Sequence, residues 1–562
     1  MQSATMLRDG NFKSVREAMD RMVQFFADAP ILAELNEDKE LVYTTGRQLY
    51  DEMMALGEGL IRDGLKDAHI AIVAENSVRY FITDMTVSCG VGVVTPIDVN
   101  ASAELLSELL HKCDAGAVMC SSFCVDKVRA AGLDRIITMD RRVEGVKYYD
   151  DILELGRVPE EESIYRNLSI DVNAPAKILF TSGTTGANKG VVLTNANLTA
   201  NILNCMDVIK AVPGNTSMSV LPMHHATEIN THILTRVMSG RLTYINGNMK
   251  SMMTNIKIFK PNIITIVPMI VNAFYRNIMA GVRKAGKEEK LKKGIRISNF
   301  LRRLGIDRTH KLFAEVLAPF GGNLDMIVSG GSMLNPMVIK GLNDLGIRVE
   351  NGYGITECGP LVSMNSDTLD DYLSVGTACP ALECKILNPD EDGVGELCVR
   401  GASVSSGYYK DEEATRQVFY EDGFFNTGDS AKMGKDGRIT LVGRKKNTIV
   451  LESGKNICPE EIENIIGNHL DYADDIVVYR ANFNNGNLSH PVLCAGLYIK
   501  DETLRSDRDA ILKAMKTVNA SLPPFKQIEY VELPSVEYPK TSSRKIVRKD
   551  LPESCSGQGL II

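Results

Sequence analysis

The sequence of 562 residues contains no apolar run long enough to cross a membrane. A spanning helix needs roughly 18–20 consecutive apolar residues. The first fifteen residues, MQSATMLRDGNFKSV, also lack the basic start and apolar segment of a secretory signal. Positive charge is not in excess, since 63 basic residues face 71 acidic ones for a net charge of −8. This balance argues against nucleic acid as a partner. Together, these absences predict a cytoplasmic protein.

Paired cysteines are missing as well. The twelve cysteines are scattered from Cys89 to Cys555 without a CxxC pair. No histidine pair with metal-ligand spacing lies near the two closest, Cys120 and Cys124. We therefore expect buried free thiols in a reducing compartment, and neither disulfides nor a zinc site.

The chain is too long for one ordinary core, so we expect two or more domains. In its first half, short apolar strands alternate with amphipathic helices, which predicts an α/β fold with a mainly parallel, helix-covered sheet. Ligands of such sheets bind where the strands end in loops. After Leu441 the elements become shorter and more charged, which places a domain boundary at Val442–Lys446. The elements predicted in the first half are helices at 49–65 and 105–110 and strands at His69–Ala74, Val91–Ile97 and Ala117–Cys120.

Residues 280–311 depart from this pattern. The segment AGVRKAGKEEKLKKGIRISNFLRRLGIDRTHK is strongly basic, with Ile, Leu and Phe interleaved. It is either a solvated helical excursion or a surface that contacts anionic lipid headgroups. Peripheral membrane contact therefore stays open as an alternative.

The stretch ILFTSGTTGANKGVVLTNANL, Ile178 to Leu198, concentrates Thr, Ser and Gly around a single lysine, Lys189. Glycines let backbone N–H groups approach a phosphate closely, hydroxyls add donors, and lysine adds a point charge. A Walker A loop is excluded, because it needs Gly-Lys-Ser/Thr in succession and two residues separate Gly186 from Lys189. The composition predicts a phosphate site of another kind, with an ordinary surface turn as the alternative.

Five segments stand out in order along the chain. They are TSGTTGANKG at Thr181–Gly190, NGYGITE at Asn351–Glu357, TGD at Thr427–Asp429, GRKKNTIVLESGKNICPEEIE at Gly443–Glu463 and PKTSSRKIVRKD at Pro539–Asp550. In this order they resemble the core motifs of the adenylate-forming enzymes, which include acyl-CoA synthetases, luciferases and peptide-synthetase adenylation domains. The resemblance implies a large N-terminal multi-sheet α/β domain, residues 1–443, and a smaller mobile C-terminal α+β lid domain, residues 444–562.

The same resemblance implies a set of nucleotide-binding residues. The loop 181–186 would hold the β- and γ-phosphates of ATP, Thr356 the α-phosphate, Tyr353 the adenine and Asp429 the ribose hydroxyls. Glu357 would hold Mg²⁺, a hard cation suited to oxygen ligands. The implied ATP-binding residues are Thr181, Ser182, Gly183, Thr184, Thr185, Gly186, Lys189, Gly331, Ser332, Asn351, Gly352, Tyr353, Gly354, Thr356, Asp429, Arg444 and Lys545.

Lys545 is the implied catalytic lysine. By resemblance it bridges the substrate carboxylate and the α-phosphate, where charge builds up in the transition state. The alternative is that Lys545 and its cationic neighbours form only a solvated basic segment. Arg544 precedes it where the family commonly has Gly, and arginine removes backbone freedom from that loop.

The remaining implied residues serve the second half-reaction and the acyl group. Lys446 corresponds to the hinge about which the small domain rotates after adenylation. Ser453 and Gly454 would then lie beside the pantetheine of CoA, and Gly330 beside the acyl group.

The segment VLPMHHATEINTHIL, Val220 to Leu234, resembles the family stretch in which an aromatic residue or histidine gates the acyl pocket. His225 is the residue implied here and, with Thr356 and Lys545, completes the predicted catalytic set. A histidine satisfied within the core is the alternative. A catalytic base is not required, because the substrate is already a carboxylate at neutral pH.

The LPMHHATE segment and the stretch Lys260–Tyr275 look most like fatty acyl-CoA synthetases. The resemblance implies ATP-dependent activation of a medium- or long-chain fatty acid to acyl-AMP and transfer to CoA, with release of AMP and pyrophosphate. One alternative is a fatty acyl-AMP ligase that passes the acyl group to the phosphopantetheine of a carrier protein. The other is a non-catalytic nucleotide- or lipid-binding protein. Acyl chain length and oligomeric state, monomer or homodimer, stay open.

Overall fold

Two large sheets, one of seven strands and one of nine, organise the first two thirds of the chain. The computed structural model describes residues 12–182, 188–209, 215–366, 371–451, 456–470, 472–485, 488–540 and 546–562. The strands are β1 Pro30–Leu35, β2 Leu41–Thr45, β3 Ala68–Val73, β4 Gly92–Pro96, β5 Ala117–Cys120, β6 Ile136–Thr138, β7 Lys147–Tyr148, β8 Pro175–Ser182, β9 Asn188–Thr194, β10 Ser217–Ser219, β11 Thr243–Ile245, β12 Ile263–Ile266, β13 Met326–Ser329, β14 Arg348–Gly354, β15 Leu361–Asn365, β16 Thr377–Ala378, β17 Leu382–Leu387, β18 Gly395–Gly401, β19 Phe425–Met433, β20 Ile439–Arg444, β21 Ile449–Val450, β22 Asn456–Ile457, β23 Asp475–Asn485, β24 Leu488–Tyr498, β25 Tyr530–Glu532 and β26 Leu560–Ile561.

Helices cover these sheets. They are α1 Val15–Phe26, α2 Gly46–Leu60, α3 Val78–Thr86, α4 Ala103–Lys112, α5 Val125–Ala130, α6 Tyr149–Gly156, α7 Asn195–Val208, α8 Leu234–Met238, α9 Met252–Phe259, α10 Pro268–Lys284, α11 Glu288–Arg303, α12 Thr309–Leu312, α13 Ala314–Leu317, α14 Pro336–Asp344, α15 Glu412–Val418, α16 Pro459–His469, α17 Glu502–Ser506 and α18 Arg508–Ser521. Wider π-helical turns occur at Ile61–Leu65, Val87–Val91 and Thr227–Ile233, and 3-10 turns include Thr356–Cys358 and Lys445–Asn447.

The seven-stranded sheet has the order β7-β6-β5-β3-β4-β8-β9, and every neighbouring pair is parallel except β8 and β9. The nine-stranded sheet, β16-β15-β14-β13-β12-β10-β11-β1-β2, is parallel in the centre and antiparallel at both edges. Inner strands such as β5 and β12 are buried along their whole length, because helices cover both faces of a parallel sheet. The predicted α/β fold is confirmed, as are the predicted helices and strands of the first half.

A buried ion pair fixes β8, the strand that leads into the glycine-rich loop. The Lys177 ammonium lies 2.5 Å from Asp84 Oδ1 in α3 and 2.9 Å from Asn230 Oδ1 in a π-helical turn. The side chains of Lys177 and Asp84 have no exposed surface. A charge pair this deep is tolerated only when both charges are hydrogen-bonded, so the contact holds β8 in one position against both helical segments.

The chain after β16 forms smaller sheets. Strands β17 to β20 make an antiparallel sheet, β21 pairs with β22, and β23 to β26 make a last four-stranded sheet. None of the described strands after Arg444 pairs with a strand before it. The predicted limits of the two domains, 443 and 444, fall on the last two residues of β20 and stay a prediction.

Two further findings bear on the sequence analysis. All twelve cysteines are free thiols, and nine of them are buried. Among the described residues, no helix is both long and apolar enough to span a bilayer.

Candidate active site

The predicted phosphate loop connects two paired strands. β8 and β9 are antiparallel, with Thr181 opposite Lys189. The loop residues Gly183, Thr184, Thr185 and Gly186 lie outside the described part of the chain, as does the side chain of Ser182. Lys189 is half-buried, and its ammonium lies 4.8 Å from the ring centroid of Tyr408, within the range of a cation–π contact.

Tyr408 connects this lysine to the predicted metal ligand. Its hydroxyl donates to Glu357 Oε1 at 3.0 Å, and burial together with this carboxylate raises the pKa of Tyr408 above its ordinary value. The segment around Tyr408 runs along β9, since Val192 N donates to Gly407 O at 3.0 Å and Tyr409 N donates to Gly190 O at 2.7 Å. Tyr408 therefore contacts both Lys189 and Glu357, although the three residues are far apart in sequence.

Glu357 suits a magnesium ion bound together with nucleotide phosphates. Its side chain is half-buried, and its backbone carbonyl accepts from Ser405 N at 2.7 Å. Among the described residues, no cluster of three or more His, Cys, Asp or Glu side chains forms a cage for a metal. Mg²⁺ commonly takes one or two protein carboxylates and completes its shell with water and substrate phosphates, so a single glutamate fits this ion.

Asp429 is the centre of a second cluster. Tyr353 donates its hydroxyl to Asp429 Oδ2 at 2.7 Å, and Arg444 Nε lies 2.9 Å from Oδ1. The register of β19 and β20 places Asp429 directly opposite Arg444, and Asp429 is 5% exposed. Burial and the neighbouring carboxylate raise the pKa of Tyr353 well above its ordinary value. Three predicted nucleotide residues therefore come together around one buried carboxylate.

Predicted glycines lie where the ends of β13 and β14 meet. Gly331 has φ +90°, a conformation that side chains rarely adopt. A Cβ on Gly354 would lie 2.4 Å from the carbonyl oxygen of Pro360, so only glycine fits there. The predicted residues on these segments are Gly330, Gly331 and exposed Ser332 after β13, and Asn351, Gly352, Tyr353, Gly354, half-buried Thr356 and Glu357 on and after β14.

A partly open cavity is lined in part by these glycines. Its walls combine the helical segment 227–236 with strands of the nine-stranded sheet. The lining residues are Ile209, Thr227, Thr231, His232, Thr235, Arg236, Ile263, Thr265, Val328, Ser329, Gly330, Gly331, Gly352, Tyr353, Gly354, Pro360, Leu361 and Met364. The arrangement suits an acyl chain whose carboxylate lies near the glycines.

His225 lies two residues before this wall and is not among the lining residues. Its ring is half-buried and 4.2 Å from that of His224, and its carbonyl accepts from Glu228 N at 3.0 Å. The histidine that lines the cavity is His232, whose Nδ1 lies 3.0 Å from Glu228 Oε1. The gating and catalytic role of His225 stays a prediction.

Sequence reasoning singled out the segment Val220–Leu234 but missed Tyr408 and the particular residues of the helical wall that line the cavity. Thr227, Thr231 and Thr235 recur every fourth residue, the spacing of one helix face, and this signal was available. The only local sequence feature at Tyr408 is a pair of tyrosines after Gly407, which does not indicate a site. Its role depends on the pairing with β9, which local sequence does not reveal.

Three predicted residues, Lys545, Ser453 and Gly454, lie outside the described residues. Lys446 follows β20 in the turn Lys445–Asn447, where burial and the nearby Arg444 lower the pKa of its ammonium group. Its role as the hinge stays a prediction.

The described residues on either side of the segment 541–545 form ion pairs. Lys540 lies 2.7 Å from Asp475, and Arg548 contacts both oxygens of Glu463 at 2.7 Å. Val547 N donates to Pro539 O at 2.8 Å, so the residues on the two sides of this segment are hydrogen-bonded to each other. Lys540 and Arg548 are therefore ion-paired, whereas the role of Lys545 stays a prediction.

The model of the AMP-binding enzyme family matches residues 19–409, and the chain belongs to this family. It is 28% identical over 475 residues to long chain acyl-CoA synthetase 6, peroxisomal, of Arabidopsis thaliana, a match that covers 77% of this chain and 66% of that protein.

The chain is 27% identical over 537 residues to the chloroplastic long-chain-fatty-acid–(acyl-carrier-protein) ligase AEE15 of Arabidopsis thaliana, with 81% of this chain and 73% of the relative covered. It thus spans about two thirds to three quarters of the length of these relatives. Among solved structures, the A-PCP didomain of carboxylic acid reductase from Segniliparus rugosus in complex with AMP superposes with a TM-score of 0.77 at 17% identity. That match covers 98% of this chain and 81% of the didomain, and it shows the shared fold.

Proposed function

We propose that the protein activates a medium- or long-chain fatty acid with ATP and transfers the acyl group to CoA. The observation that carries this proposal is that one polar cluster contributes a residue to the wall of a mainly apolar cavity, and that a second cluster includes the turn that follows this wall. Tyr353 belongs to the Asp429 cluster and also lines the cavity. Glu357 follows the lining residue Gly354 by three positions and belongs to the Lys189 cluster.

In the proposed reaction, a carboxylate oxygen attacks the α-phosphorus of ATP and pyrophosphate leaves, so two anions must approach each other. Lys189 and Lys545 supply positive charge, and Thr356 donates to the α-phosphate. Asp429 accepts from the ribose hydroxyls. Glu357 would hold Mg²⁺, which supplies further positive charge to the phosphate oxygens when bound.

In the second half-reaction, the thiol of CoA attacks the acyl carbonyl and AMP leaves. The proposed route of the thiol passes Ser453 and Gly454 after the small domain turns about Lys446. A carrier-protein phosphopantetheine is the alternative acceptor, because AEE15 is named as a ligase of an acyl-carrier protein.

Both acceptors are tested by measuring AMP and pyrophosphate release with saturated acids from acetate to palmitate, each with and without CoA. We expect release to peak at one chain length and to turn over only with CoA. Acyl-AMP that accumulates with CoA present, and is consumed only when a phosphopantetheine carrier is added, would establish the alternative acceptor. No release with any acid would contradict the proposed function and favour a non-catalytic binding protein.

We further propose that the segment 288–312 contacts an anionic membrane surface, from which a fatty acid can be drawn. Leu291 and Ser298 bury one face of α11, while the segment exposes large apolar side chains between cations. The exposed apolar residues are Ile297, Phe300, Leu304, Ile306 and Leu312, and the exposed cations include Lys290, Lys293, Arg296, Arg303, Arg308 and Lys311. Apolar groups inserted among basic residues are typical of interfacial helices.

Phe300→Ser is expected to weaken binding to phosphatidylglycerol-containing vesicles at least about 10-fold, because one buried phenyl group contributes about 1.5–3 kcal/mol. Phe123→Ser is the matched control, since Phe123 is 64% exposed and Phe300 is 62% exposed. Vesicle co-sedimentation at low salt measures both variants. Equal losses for the two variants, or no binding by the wild-type protein, would contradict the membrane contact and favour the solvated excursion.

A further inference from the structure

A single arginine lies at the end of the cavity farthest from the glycines. Gly330 and Gly331 follow β13, at the carboxyl edge of the nine-stranded sheet. Arg236 Nη2 donates to the carbonyl oxygen of Asn215 at 2.5 Å, just before β10 begins. Because the inner strands run parallel, this point is at the opposite, amino-terminal edge. The cavity therefore extends along the strands, from the proposed carboxylate position at one edge of the sheet to Arg236 at the other.

Arg236 is buried without a counter-charge. It is 5% exposed, and its Nε and Nη1 have no hydrogen-bond partner among the described residues. No carboxylate of those residues forms an ion pair with it, and the residues 210–214 beside Asn215 read KAVPG, without an acid. Burial, followed by the like charge of Arg241, lowers the pKa of Arg236 to about 9, so the group is still mainly a cation at neutral pH.

Such an arrangement is costly unless a ligand completes it. A buried guanidinium with unsatisfied N–H groups loses hydration that only an acceptor can replace. Between the two ends, the strand side of the cavity is mainly apolar, since Ile263, Val328, Leu361 and Met364 outnumber the polar Thr265 and Ser329 in the lining. A plain alkyl chain would fill this part but would place its methyl end against the cation.

We propose that Arg236 binds an anionic group at the far end of the acyl substrate, so that the preferred substrates are α,ω-dicarboxylic acids. This inference rests on the proposed function. One carboxylate lies at the glycines and is activated by ATP, the methylene chain fills the apolar part, and the second carboxylate accepts hydrogen bonds from the guanidinium. Arginine suits this role because its planar group pairs with a carboxylate through two parallel hydrogen bonds.

The test compares acids of equal carbon number from C6 to C16 as monocarboxylic acid, ω-hydroxy acid and dicarboxylic acid, with kcat/KM for pyrophosphate release as the readout. For the wild-type protein we expect the diacid to exceed the monoacid at least about 10-fold at the best length, with the hydroxy acid between them, as is usual for hydrogen bonds to charged groups. Arg236→Met should remove or reverse this preference, and Arg236→Lys should retain part of it.

Arg141→Met is the control, because Arg141 is a surface arginine whose side chain is 70% exposed, and it should leave the ratio unchanged. A wild-type preference for the monoacid at every length would overturn the inference, even if Arg236→Met fails to fold. So would a diacid preference that Arg236→Met leaves intact. Activity on monoacids alone would leave the proposed ligase function standing, whereas silence with every acid would remove both.

Discussion

Lys545→Ala is expected to lower acyl-AMP formation by about 10²–10³-fold, the usual effect of removing one group that stabilises transition-state charge. Transfer of the acyl group from supplied acyl-AMP to CoA should stay close to the wild-type rate, because that step does not bring a carboxylate up to the α-phosphate. Pyrophosphate release measures the first half-reaction, and thioester formation from synthetic acyl-AMP measures the second.

The surroundings of this lysine sharpen the experiment. Lys540 and Arg548 are committed to Asp475 and Glu463, so they are not free to replace Lys545. Lys549 is an exposed neighbour, and Lys549→Ala is the control that should leave both half-reactions unchanged. Equal loss of the two half-reactions in Lys545→Ala would contradict its role in adenylation. Arg544→Gly, which restores the residue common in the family, tests whether the arginine alters the loop.

Asp429→Asn is expected to raise the KM for ATP about 100-fold, with a much smaller change in the KM for the acid. The substitution keeps the shape of the side chain but removes the charge that would accept from the ribose hydroxyls. Hydrogen bonds to a charged group contribute about 1.5–3 kcal/mol each, and 100-fold corresponds to about 2.7 kcal/mol. Initial rates with varied ATP at saturating acid give this constant.

Asp429 also accepts from Tyr353 and pairs with Arg444, so a structural effect has to be separated from a binding effect. Tyr353→Phe is the matched control, because it removes one hydrogen bond to Asp429 and leaves the charge in place. We expect its KM for ATP to change less than about 10-fold, the equivalent of one ordinary hydrogen bond. Similar KM values in the two variants, or a large drop in Tm confined to Asp429→Asn, would contradict a direct ribose contact.

The sequence predicted the fold well where local pattern determines structure. The strands His69–Ala74 and Ala117–Cys120 and the helix through 105–110 appear as β3, β5 and α4, since alternating apolar runs and helical spacing are short-range signals. The motif residues Tyr353, Asp429 and Arg444 were predicted separately, and the structure shows that they share one buried carboxylate.

What the sequence could not reveal depends on pairing between distant segments. Tyr408 reaches Glu357 and Lys189 only because the segment 407–409 runs along β9. Arg236 has the sequence context of an ordinary helix residue. Its burial at the end of a cavity emerges only when Asn215 accepts its hydrogen bond and the start of β12 lines the same cavity. The sequence of the segment 280–311 revealed its positive charge, but it did not reveal which of its apolar side chains are exposed.

The central claim, that a carboxylate is activated by direct attack on the α-phosphorus of ATP, is tested most directly by oxygen transfer. A fatty acid labelled with ¹⁸O in both carboxylate oxygens is turned over with ATP and CoA, and the AMP is analysed by mass spectrometry. The proposed reaction leaves one ¹⁸O atom in each AMP, because the bridging oxygen of acyl-AMP stays with phosphorus when the thiol attacks the carbonyl. Unlabelled AMP, or cleavage of ATP to ADP and phosphate, would contradict it.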